Sequence, residues 1–111
     1  MRNFTDLTTI DAIDDFISTN TLAFLYISQP NCSVCHGLLP QVEELMTSFP
    51  EIKLGSINAL EVEAVAGKFS VFTVPVLLLF VEGKEYIREA RIVHMDLLED
   101  KLHKIYINVV R

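Results

Sequence analysis

Apolar residues alternate between helical and strand periods along the whole chain. Ile10, Ile13, Phe16 and Ile17 recur at three- and four-residue intervals behind Thr8 and Thr9, either of which can cap a helix. Asp11, Asp14 and Asp15 suit the early turns and outer face of that helix. Thr21 to Ile27 is almost uninterrupted apolar sequence with a β-favouring end, the pattern of a strand buried on both faces, and Ser28-Gln29-Pro30-Asn31 breaks it. From Cys32 to Ser48 the period is helical again, with Leu38, Leu39, Val42, Leu45, Met46 and Phe49 inward and Glu43 and Glu44 outward. Pro40 removes one backbone donor and crowds the carbonyl of His36, so a kink is expected there. Ile52 to Ile57 reads as a second strand, and Ala59 to Phe69 as an Ala/Val/Glu helix ending near Gly67. Val76 to Phe80 fits a central strand, Glu82-Gly83 a turn, and Lys84 to Ile92 an antiparallel return. In the last helix Asp96 lies near the start, Leu98, Leu102, Ile105 and Val109 share a face, and Lys101 and Lys104 lie towards the end.

This order predicts one mixed α/β domain over residues 1–111: a sheet with parallel crossovers and a C-terminal antiparallel hairpin, covered by helices on both faces. A half-apolar composition supplies a core without a disulfide staple. Fifteen acidic against nine basic residues give a net charge of −6, which repels nucleic acid and anionic lipid. The first twenty residues lack the basic-then-apolar order of an export signal, and the longest apolar run, Val74 to Val81, is too short to span a bilayer. A soluble, cytoplasmic monomer is the expectation, with neither nucleic acid nor membrane as partner.

The only two cysteines stand three apart in Cys32-Ser33-Val34-Cys35, where the strand pattern gives way to the helical one. Three residues make nearly one helical turn, so both sulfurs face one side and can close a disulfide without unfolding. So short a loop stabilises weakly as a staple, so the pair reads as redox chemistry. With His36 the stretch also fits a c-type haem attachment pattern, Met46 or Met95 being conceivable second ligands. A zinc site is incomplete, since His94 and His103 lie far along the chain.

The strand, Cys32-Ser33-Val34-Cys35, a helix with Pro40, and then Thr73-Val74-Pro75-Val76-Leu77-Leu78-Leu79-Phe80 with Glu82-Gly83 resemble thioredoxin over most of the chain. The resemblance implies the thioredoxin fold and thiol–disulfide exchange on protein disulfides, contributing to cell redox homeostasis and electron transport. No dissociable organic cofactor or metal is required. Electrons would come from a partner dithiol, such as a flavoprotein resembling thioredoxin reductase. Cys32, at a helix N-terminus that favours thiolate, is the expected nucleophile, and Cys35 the resolving thiol. Pro75 matches the family's cis-proline, and the Val74 backbone would hold the substrate peptide. His36 is a candidate for tuning the pair, and Ser33 for capping the helix or bonding the thiolate.

The sequence also departs from the family. Asn31, Ser33 and Val34 replace the usual tryptophan, glycine and proline around the cysteines; Tyr26 stands where the family has a buried carboxylate, and Ser56 where it has the companion lysine. These departures leave a second reading open, a redox-sensing or partner-binding module without general reductase turnover.

Overall fold

The computed structural model describes residues 2–110. Its elements in chain order are β1 (Thr5–Asp6), α1 (Ile10–Thr19), β2 (Leu22–Ser28), α2 (Ser33–Met46), β3 (Lys53–Asn58), α3 (Val65–Phe69), β4 (Val76–Val81), β5 (Lys84–Ala90) and α4 (Met95–Val109). The five strands form one sheet in the order β1-β3-β2-β4-β5. β1, β3 and β2 are parallel; β4 runs against β2, and β5 against β4. The mixed sheet and its terminal hairpin therefore match expectation.

Alternation along the strands sends side chains into two separate layers. Leu22, Phe24 and Tyr26 of β2 and Leu77, Leu79 and Val81 of β4 join Leu38, Val42 and Met46 of α2 and Leu98 and Leu102 of α4. Their neighbours Ala23, Leu25, Ile27, Val76, Leu78 and Phe80 face the other way and meet Ile13 of α1 and Val65 and Phe69 of α3. β2 and β4 are thus buried on both faces, which is why each reads as a continuous apolar run. α1 comes very close to the sheet at Gly55, where an added Cβ would stand 2.6 Å from Leu7 and 3.1 Å from Phe16.

Thr9 caps α1, its hydroxyl accepting from Ala12 N–H at 3.0 Å. α2 runs through Pro40 as one helix. Its C-terminal end is closed by Arg2, whose guanidinium donates to the carbonyls of Met46, Phe49 and Ile52 at 3.3, 2.9 and 2.7 Å. Glu82 and Gly83 turn the β4–β5 hairpin with φ of 50° and 85°.

Three expectations are corrected. The helix predicted over residues 59–69 is confined to Val65–Phe69, because Asn58 takes the preceding N–H groups: its side chain accepts from Leu60 at 2.9 Å, and its carbonyl from Glu61 and Val62 at 3.0 and 2.9 Å. That helix ends not at Gly67 but at Ser70, which takes the left-handed conformation at φ 55°. In α4, Val109 is exposed; Tyr106 and Val110 pack against the core instead, Tyr106 edge-on to Phe49 at 5.2 Å.

Candidate active site

Polar and proline residues after β2 set the entrance to α2. Cys32 N–H donates to the Gln29 carbonyl at 3.2 Å, closing a turn with Pro30 at its second position, where a fixed φ suits the bend. Cys32 then becomes the N-cap of α2, and its Sγ accepts from Cys35 N–H at 3.1 Å. This corrects the expectation for Ser33: it is the first helical residue and exposed, and the capping acceptor is the preceding sulfur.

Cys32 and Cys35 are joined as a disulfide, with Cα atoms 5.3 Å apart. Cys35 is 2% exposed beneath the helix start, while Cys32 is only half-buried. One sulfur therefore meets solvent and the other waits inside.

Tyr26 is the largest fully buried side chain in the core and lies under this turn. Its hydroxyl donates to the Cys35 carbonyl at 2.6 Å, and its ring packs at 6.0 Å from Phe4. Burial pushes its phenol from 10.0 up to about 12, so it is no proton acceptor at neutral pH. Ser56 is its register partner on β3, and the Ser56 hydroxyl turns to Asp6, donating to Oδ1 at 2.8 Å. Since the neutral phenol is the folded form, the stability it contributes is complete below pH 10 and lost as pH climbs through about 12. Phenolate absorbance from Tyr26 should rise together with alkaline unfolding, and Tyr26→Phe should shift that limb of the stability curve to higher pH.

His36 turns towards the segment before Cys32. Its exposed ring bonds back to the turn, Nε2 lying 2.7 Å from the Pro30 carbonyl. Because a carbonyl only accepts, the proton sits on Nε2. Met46, entertained as a haem ligand, is fully buried in the core. No cluster of three or more metal-ligating side chains occurs among the described residues.

Across from Cys32 the Val74–Pro75 peptide bond is cis. Asn31, Cys32, Ser33, Val34, Thr73, Val74, Pro75, Arg91 and Ile92 together line an open groove of about 640 Å³. The structure thus brings together the cysteines' exposed end, Ser33, Val74 and Pro75, while His36 lies outside the groove. Val34 and Ile92, 60% and 76% exposed, supply apolar rims in place of the absent tryptophan. No sequence pattern marks Arg91. It follows β5 with φ 66°, a conformation costing a side chain of this kind on the order of 1 kcal/mol, and its N–H donates to the Pro75 carbonyl at 2.8 Å.

Two cysteines placed to interconvert between thiols and disulfide at a helix end reached by solvent make this chain a thiol–disulfide oxidoreductase. It belongs to the thioredoxin family, whose model, described as Thioredoxin, matches residues 5–104. It is 53% identical over 106 residues to the thioredoxin-like protein YdfQ of Bacillus subtilis, covering 96% of this chain and 95% of that one. A thioredoxin of Chlamydia pneumoniae is 28% identical over 82% of this chain and 88% of its own. A mutant thioredoxin from Halobacterium salinarum superposes with a TM-score of 0.81 at 26% identity, covering 96% of this chain and 93% of that one.

Proposed function

We propose that Cys32 is the attacking thiolate and Cys35 the resolving thiol in exchange with protein disulfides, with Val74 and Pro75 seating the substrate backbone. One observation carries this reading: a half-exposed Cys32 and a buried Cys35 stand one turn apart, and Cys32 opens on the groove that Val74 and Pro75 line. The unpaired N–H groups and dipole of α2 favour negative charge on Cys32. Its thiolate attacks one substrate sulfur, the substrate S–S bond breaks, and the leaving thiolate takes a proton from solvent. Cys35 then gives up its proton and attacks Cys32; the mixed disulfide breaks, releasing the second substrate thiol. Two electrons have passed to the substrate, and a partner dithiol must restore the pair, a role for a flavoprotein of the thioredoxin-reductase kind.

His36 acts in this scheme as a positioning residue, holding the turn before Cys32 through Pro30. Ser33 supplies a hydroxyl on the groove wall. A single-domain monomer working in the cytoplasm, in electron transport and redox homeostasis, completes the proposal, with family membership as its support.

Tyr26 favours a second reading. With a phenol pushed up to about 12 where the family has a carboxylate, Tyr26 cannot take the proton from Cys35, and resolution is slow. The chain then works as a redox-responsive module docking one partner. Multiple turnover of insulin disulfides with a recycling dithiol separates the two readings: sustained turnover supports the reductase, and a single stoichiometric event the module. Titration against glutathione adds direction, with a midpoint of about −270 mV suiting a reductant and about −120 mV an oxidant.

A further inference from the structure

Arg91 is the one charged side chain among the residues lining the groove over Cys32, and it also lines the cleft continuing past Val34, Gly37 and Gln41. Its Cα is fixed beside the substrate-facing segment by the bond from its N–H to the Pro75 carbonyl. Its left-handed φ of 66° is one that glycine adopts freely, so an arginine is held here at a conformational cost. The side chain is exposed and enters no ion pair among the described residues, whereas Lys68, Arg88 and Lys101 each hold a carboxylate. Glu63 lines a different cleft, with Phe72 and Val74. On a chain of net charge −6, an unpartnered guanidinium at the redox groove reverses the local sign.

We propose that Arg91 determines specificity, selecting peptide disulfides that carry a carboxylate beside the attacked sulfur. The inference rests on Cys32 as nucleophile and on Val74 and Pro75 as the peptide seat. A substrate chain laid along Val74 would bring a side chain next to its cysteine over Arg91, where the planar guanidinium can donate two parallel hydrogen bonds to a carboxylate. The groove is open to water, so the discrimination is modest and sensitive to salt. The chain's overall charge predicts the opposite order, a preference for basic peptides.

The test uses two disulfide-linked peptides identical except for Glu or Lys beside the cysteine, each reduced by the protein with a recycling dithiol. Taking the ratio of the two kcat/KM values cancels any effect of Arg91 on the thiol itself. Wild type is expected to favour the Glu peptide by about three- to fivefold at low salt, with the ratio falling towards one in about 1 M salt. Arg91→Gly, which fits the left-handed backbone without strain, should bring the low-salt ratio to one or below, and Arg91→Glu should invert it. Equal rates on both peptides in wild type, or a ratio unmoved by Arg91→Gly, overturns the inference and leaves the oxidoreductase reading intact. Failure of wild type to reduce either peptide overturns both.

Discussion

Replacing Cys32 by serine is expected to cut disulfide reduction to the uncatalysed background, a loss of more than about a thousandfold, while leaving the fold in place. The two halves of this expectation have separate causes. A hydroxyl is far too weak an acid to supply the nucleophile, so no mixed disulfide forms. Yet the structural duty of the Cys32 sulfur is to accept the Cys35 N–H as the cap of α2, and serine is among the best residues for that position. Thermal melting of the reduced variant should therefore stay within a few degrees of reduced wild type. Cys35→Ser is expected to behave differently, attacking once and then holding its substrate, so that mass spectrometry finds one substrate thiol covalently attached per protein. Steady turnover by Cys32→Ser would remove the role assigned to Cys32, and steady turnover by Cys35→Ser the role assigned to Cys35.

The second large effect concerns β4. Leu77 and Leu78 are adjacent and both 0% exposed, yet they serve opposite layers: Leu77 faces α2 and α4, and Leu78 faces α1 and α3. Truncating either to alanine removes apolar contacts and leaves a void at the centre of a sheet flanked by paired strands, so each is expected to cost about 2–5 kcal/mol. Because the two voids open on different sides of the sheet, the losses should nearly add, although the residues are neighbours in sequence. The sum approaches the whole stability of a small domain, about 5–15 kcal/mol, so the double variant is expected to be largely unfolded. Denaturant unfolding of the three variants measures this, with Ile92→Ala, at a residue 76% exposed, as a control expected to change little. A double variant no less stable than the worse single one would show that the two layers respond as one.

Elements buried on both faces were the most legible in the sequence. β2 and β4 appear as continuous apolar runs because the side chains of Leu22 to Ile27 and of Val76 to Val81 are buried on both faces of the sheet. β1 was invisible, since two exposed residues carry no period and are placed only by pairing with Gly55 and Ser56. The start of α3 is not legible because local competition by Asn58 outweighs the helical preference of the alanines and glutamates that follow. The inner face of α4 keeps Ile105 but takes Tyr106 and Val110 in place of Val109 at its end, where the Tyr106 hydroxyl also accepts from Glu51 N–H at 3.1 Å.

At the site, the cysteine spacing and the valine–proline were readable because they are local patterns. The acceptor that caps α2, the target of the His36 ring and the groove-lining place of Arg91 were not. Each depends on how a turn or a strand end is oriented in space. A positive φ at an arginine has no signature in composition or period, and it becomes visible only once the chain is folded.

The pairing of β4 on both sides bears on how this protein behaves once it is unfolded. Val76 to Val81 is six residues of Val, Leu and Phe with no charge to interrupt them, and in the native sheet β2 and β5 occupy both of its hydrogen-bonding edges. β5 then presents Lys84, Glu85, Arg88 and Glu89 at the sheet's border, a charged margin that discourages further strands from adding. A denatured chain loses both protections at once and offers the same hexapeptide to its neighbours as a template for stacking. Solubility of the folded molecule and of its heated or freshly synthesised forms are therefore separate properties, the former guarded by the hairpin and the latter dependent on dilution and on how quickly β4 finds its partners.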